Sequence, residues 1–141
     1  MYLPQRNDNF VKELLKKEEN IELDFKLSIS NSSKIARTLV AFANTKGGTI
    51  AIGINDHKKI IGIDPEEELF MIKKAAEEYC IPPVLYDSQV YEIEYLDDEK
   101  LEEELLILVI NVPKSENEHL LLSKGNNRLR YLRVGDKNIP Q

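Results

Sequence analysis

The chain has 141 residues, 42% of them apolar and 31% charged, with a formal net charge of −6 and a single cysteine. That length suits one compact domain with a core of its own. One cysteine rules out an internal disulfide framework, and no apolar run approaches the ~18 residues of a membrane-crossing helix.

The opening MYLPQRNDNF has no basic stretch feeding an apolar one, so it does not read as a signal peptide; with the reduced Cys80 this points to the cytoplasm. Residues 7–19 read as a short helix, capped by Asn7 or Asp8, with Phe10, Val11, Leu14 and Leu15 at helical spacing. IELDFKL then alternates: Ile21, Leu23, Phe25 and Leu27 face one way, and Glu22, Asp24 and Lys26 the other, as in a half-buried strand with a solvated polar face. Asn31–Ser33 offers caps for a second helix with an apolar stripe at Ile35, Leu39, Phe42 and Ala43, stopped by Gly47. TIAIGI (49–54) reads as a buried strand, and KIIGI (59–63) as its hairpin partner across a turn at Asn55, Asp56 and His57.

Asp64 caps the next helix, Pro65 takes its first position and Glu67 completes a capping box. That helix runs to about Cys80, a buried thiol, because Pro82 and Pro83 forbid its continuation. SQVYEIEYL (88–96) alternates as a strand, DDEKLEEE is a solvated turn, and LLILVINV (105–112) is the most apolar strand of the chain. A loop over Pro113–His119 and a last alternating strand, NRLRYLRV (127–134), close the sequence. His57 and His119 read as surface residues. The whole is one α+β domain, residues 1–141, with a mixed sheet and helices packed on it.

Three places could carry chemistry. The polar side of IELDFKL, with Glu19 beside it, is a solvated carboxylate–lysine face or an oxygen-rich site for Mg²⁺ or Mn²⁺; two histidines and one cysteine make zinc a poor alternative. Asp56 is a turn residue or a site carboxylate. The glycines of AFANTKGG end a helix rather than begin one, so they form no phosphate loop. In the last strand, Arg128 and Arg130 share one side, and Tyr131 and Arg133 the other. Cations interleaved with an aromatic suit phosphate contact and base stacking, and a half-buried tyrosine on a polar sheet face is the plainer reading. Charge favours this segment: Asp and Glu crowd positions 64–104, whereas Lys114, Lys124, Arg128, Arg130, Arg133 and Lys137 lie C-terminal to them beside only Glu116, Glu118 and Asp136. An acidic chain can thus still present a local basic face.

In order, ENIELDFKL, KIARTLVAFANTKGGTIAIGINDHKKIIGI, ILVINVPKS and YLRVGDKN closely resemble the Schlafen AlbA-type domain, from about Glu18 to Lys137. The resemblance implies an Alba/Schlafen-like fold with a nucleic-acid-binding sheet, of a kind often described as DNA-binding in bacterial proteins. Some animal Schlafen proteins similar in this region are metal-dependent endoribonucleases acting on structured RNA such as transfer RNA, with a carboxylate triad. Carried over, that triad falls on Glu19, Asp24 and Asp56 as ligands of Mg²⁺ or Mn²⁺, with Lys26 beside the second acid stabilising phosphorane charge. Lys124, Arg128, Arg130, Tyr131 and Arg133 would then hold the nucleic acid. Two departures count against carrying over the chemistry. Asp24 is one methylene shorter than the family's glutamate, and the animal enzymes pair two such lobes where this chain has one. A homodimer would rebuild that clamp; the chain could equally be the N-terminal module of a longer protein. Three functions remain open at this point: a nucleic-acid-binding module, DNA or RNA, of regulatory type; a metal-dependent endoribonuclease; and a protein-interaction or dimerisation domain.

Overall fold

The computed structural model describes residues 2–96 and 99–141. Its centre is a four-stranded mixed sheet in the order β1-β2-β5-β4. The strands are β1 (Leu23–Lys26), β2 (Gly48–Ile52), β4 (Asp87–Leu96) and β5 (Glu99–Val112). β1 runs parallel to β2, and the other pairs are antiparallel. Three helices cover the sheet: α1 (Asp8–Leu15), α2 (Ser32–Asn44) and α3 (Pro65–Glu78).

The apolar runs of β2 and β5 follow from burial on both faces. Ile50, Ile52, Leu108, Ile110 and Val112 point into the core made with α2 and α3. Ala51, Ile107 and Val109 point into a second core under Val11 and Leu14 of α1. Cys80 belongs to the first core, and burial pushes its thiol up to about 12.

Helix ends follow local chemistry. Asn7, Asn31 and Asp64 accept backbone N–H groups at the three N-termini. Asp64 takes the N–H of Glu66, and among the described residues Glu67 makes no return bond, so the expected capping box is absent. The buried acid of that turn is Glu68, whose Oε2 accepts the Ile29 N–H at 2.9 Å and whose pKa is raised by burial. Gly47 ends α2 with φ +77°, where a Cβ would lie 2.6 Å from the Val112 carbonyl oxygen; a Cβ on Gly48 would lie 2.8 Å from the Phe42 ring. The pair is required by the way α2 turns back into β2.

The C-terminal third departs from expectation. The strand read over 127–134 is two: β7 (Arg128–Leu129) joins β6 (Leu120–Leu122) and β3 (Cys80–Ile81), while β8 (Tyr131–Val134) pairs with β9 (Lys137–Pro140). The acidic stretch read as a turn is mostly strand, since β5 begins at Glu99; Asp97 and Asp98 fall outside the described residues. KIIGI contributes only the isolated bridge Ile54↔Ile60, not a hairpin strand. His57 is exposed as expected, but His119 is buried. Its Nδ1 lies 2.7 Å from the Pro82 carbonyl oxygen and its Nε2 2.8 Å from Ser115 Oγ, so both ring nitrogens have partners.

Candidate functional site

β1 is an edge strand, so its outward backbone groups need partners from elsewhere. Glu19 supplies one: its Oε2 accepts the Phe25 N–H at 2.9 Å. Leu23 and Phe25 point into the α1 core. Asp24 therefore points to the opposite side of the strand, which the sequence reading left to solvent and which α2 and the β8–β9 hairpin cover. Asp24 is 3% exposed.

A buried carboxylate needs a cation and hydrogen bonds, and Arg133 of β8 meets it. Arg133 Nη2 lies 3.1 Å from Asp24 Oδ1, 3.0 Å from the Leu23 carbonyl oxygen and 3.1 Å from that of Asn20. Nε donates to Asn20 at 3.2 Å, and Nη1 to Asn138 Oδ1 at 3.0 Å. Asn138 in turn donates to Thr38 Oγ1 of α2 at 2.9 Å. The guanidinium also lies 4.8 Å from the centre of the Phe42 ring. One side chain thus ties β1, α2, β8 and β9 together. Lys26 Nζ stands 3.1 Å from Asp24 Oδ2, yet that oxygen has no partner in hydrogen-bond geometry. The contact is an ion pair only.

Beside this clasp lies a cleft of about 340 Å³ lined by Glu18, Glu19, Phe25, Asn55, Asp56, Lys58 and Asp136. Glu19 and Asp56 do share it, and Lys58 pairs with Glu18 at 2.5 Å. Asp24 is in contact with Glu19 but is committed to Arg133. The Glu19 carboxyl is pushed up, first by its partial burial and then by Asp24 beside it, against the pull of the Phe25 N–H and Lys26. The donor set is a poor fit to a divalent ion. Among the described residues no three His, Cys, Asp or Glu side chains are arranged to ligate a metal. Asp136, at the β8–β9 turn, is an acid of this cleft that the sequence reading passed over; the hairpin turn Gly135-Asp136 was its only signal.

The basic residues separate into two groups. Tyr131 is 7% exposed and Arg133 2%, so neither can stack on a base or meet a phosphate. The alternation was read correctly, but the shared side of Tyr131 and Arg133 faces α2 rather than solvent. Lys124, Arg128 and Arg130 are exposed, and Arg130 pairs with Glu118 at 3.0 Å. The structure adds Arg37 of α2, whose guanidinium lies 5.2 Å from the centre of the Tyr131 ring and whose buried Nε has no hydrogen-bond partner. Lys34 lies one turn earlier on the same helix. Their positions opposite the Ile35–Leu39–Phe42 stripe were the available signal. Among the described residues, Lys34, Arg37, Lys124 and Arg128 have no carboxylate partner.

A family model described as Schlafen, AlbA_2 matches residues 19–140. The chain belongs to this Schlafen AlbA_2 family. No curated protein matches it. Among solved structures it is similar to the DIP2311 protein from Corynebacterium diphtheriae, at 16% identity and a TM-score of 0.55. The match covers 93% of this chain but 25% of that protein. At such identity the likeness is one of fold. Membership of the Schlafen AlbA_2 family is consistent with a nucleic-acid-related role, and among the described residues no helix is long and apolar enough to cross a membrane.

Glu19→Gln separates the roles of the two neighbouring acids. A glutamine keeps the acceptor for Phe25 and removes the charge beside Asp24. The folded pKa of Glu19 is raised, so its protonated form favours folding, and that contribution is lost as pH rises through the folded value. The melting temperature of Glu19→Gln is therefore expected to equal or slightly exceed that of the parent at pH 7.5, with the difference fading as pH falls through the Glu19 pKa. Thermal melts across pH 4–8 would check it; a large loss at pH 7.5 would contradict this reading.

Proposed function

We propose that this domain binds nucleic acid through its phosphate backbone, using the β6–β7 turn and the neighbouring end of β8, with α2 beside them. The observation that supports it is the set of exposed or half-exposed cations without carboxylate partners among the described residues: Lys124 on the turn, Arg128 at the start of β7, and Arg37 and Lys34 on α2. Arg37 lies over Tyr131, the residue after Arg130, which brings the helix and the C-terminal basic segment together. Phosphates would avoid the cleft, where Glu18, Glu19, Asp56 and Asp136 outnumber Lys58. Unpaired cations of this kind position a backbone without reading bases.

Fluorescence anisotropy with labelled single- and double-stranded DNA and with transfer RNA tests this. Binding is expected to weaken steeply with salt, since each phosphate neutralised adds about 0.9 to the slope of log K against log salt on duplex DNA. The triple variant Lys124→Ala/Arg128→Ala/Arg130→Ala should lose at least about tenfold in affinity and reduce that slope by about 2–3. No salt-sensitive binding by the parent chain would overturn the proposal and favour an interaction domain. Cleavage that requires Mn²⁺ would replace it with a nuclease.

A further inference from the structure

Two of the three acids that the family resemblance marks for a divalent cation, Glu19 and Asp24, are already engaged by groups of this chain. Asp24 Oδ1 is held by Arg133 at 3.1 Å, and Oδ2 stands 3.1 Å from Lys26 Nζ. Glu19 Oε2 is the acceptor for an edge-strand N–H. We infer that Asp24 is neutralised from within by Arg133 and Lys26, so that the Glu19, Asp24 and Asp56 set takes no divalent cation, and that Asp24 with Arg133 is a clasp closing the sheet edge onto the C-terminal hairpin.

Three features of the site carry this. A hard cation binds oxygen at about 2.0–2.6 Å and needs lone pairs free to point at it. The Oδ1 side of Asp24 is closed by a guanidinium whose side chain is 1% exposed and whose nitrogens meet three backbone or side-chain acceptors besides Asp24. Arg133 cannot step aside for an ion without abandoning those acceptors. On the Oδ2 side, which accepts no hydrogen bond, an ion would meet the positive charge of the Lys26 ammonium at 3.1 Å and would have to displace it. The missing methylene at Asp24 is consistent with the same arrangement: the shorter carboxylate is drawn back beneath the hairpin toward Arg133 and away from the cleft that Glu19 and Asp56 line.

The test is a Mn²⁺ titration of the full chain followed by the electron paramagnetic resonance of free Mn²⁺, with Glu19→Gln and Asp56→Asn alongside. Both substitutions lie at exposed residues, and circular dichroism confirms that each variant is folded before it is titrated. The expected result is the same weak, non-saturating Mn²⁺ uptake for all three proteins, and no rise in melting temperature of the parent with Mn²⁺. Saturable binding by the parent that disappears in either variant would overturn the inference. A parallel anisotropy measurement in EDTA and in Mn²⁺ keeps the two readings apart. Affinity for nucleic acid should be equal in both; a complete lack of binding would defeat the proposed function and leave the Mn²⁺ result standing.

Discussion

Arg133→Met is expected to destabilise the chain by about 3–5 kcal/mol, the usual cost of leaving one member of a buried ion pair alone. At this chain length that is a fall in melting temperature of roughly 10–20 °C. The substitution keeps much of the aliphatic volume, so the loss is polar. It leaves the buried Asp24 carboxylate with the Lys26 ion pair alone, strips the Asn138 amide oxygen of its donor, and takes from the Asn20 and Leu23 carbonyls the guanidinium they accept beside their mutual backbone bonds. Arg133→Lys should rescue only part of this, because a single ammonium cannot span acceptors that a planar guanidinium reaches from three nitrogens. Removing both charges in Asp24→Leu/Arg133→Met should recover more than the lysine does, although the carbonyls of Asn20 and Leu23 still lose the guanidinium and keep only their backbone donors. Chemical denaturation at pH 7 measures all three. A melting temperature for Arg133→Met within a few degrees of the parent would show that the clasp is not what holds the hairpin.

The reason this clasp was not legible in the sequence is specific. Alternation in IELDFKL correctly separated Leu23 and Phe25 from Asp24 and Lys26, and alternation in NRLRYLRV correctly put Tyr131 with Arg133. What alternation does not give is which face is buried when both faces of a sheet are covered. The rule that charges face water assigned Asp24 and Arg133 to solvent one at a time, whereas each is buried because the other is. Their separation of more than a hundred residues leaves no local trace. The helices, by contrast, announced themselves through Asn7, Asn31, Asp64 and Gly47, all of which act locally. The short strands β3, β6 and β9 were missed because strands of two to four residues carry too little pattern. The family resemblance pointed to Glu19, Asp24 and Asp56, of which Glu19 and Asp56 line one cleft. It could not say that a neighbouring arginine would already hold one of them.

Phe42→Ala should cost a further large sum, about 3–5 kcal/mol for emptying a fully buried aromatic site. Phe42 is 0% exposed and stands between two features that depend on it. On one side the Arg133 guanidinium packs on its ring at 4.8 Å, and on the other the backbone of Gly48 approaches so closely that a Cβ would not fit. Phe42→Leu refills most of the volume and removes the ring face, so it should retain the core but lose the cation–π contact, worth up to about 2 kcal/mol when desolvated. The decisive measurement is a double-mutant cycle between Phe42→Leu and Arg133→Met by urea denaturation. If the ring helps to seat the guanidinium, the two losses should fall short of additivity by about 0.5–3 kcal/mol, the range seen for residues in contact. Strict additivity would mean that Arg133 is placed by its hydrogen bonds alone, and that Phe42 matters only as volume between α2 and the sheet.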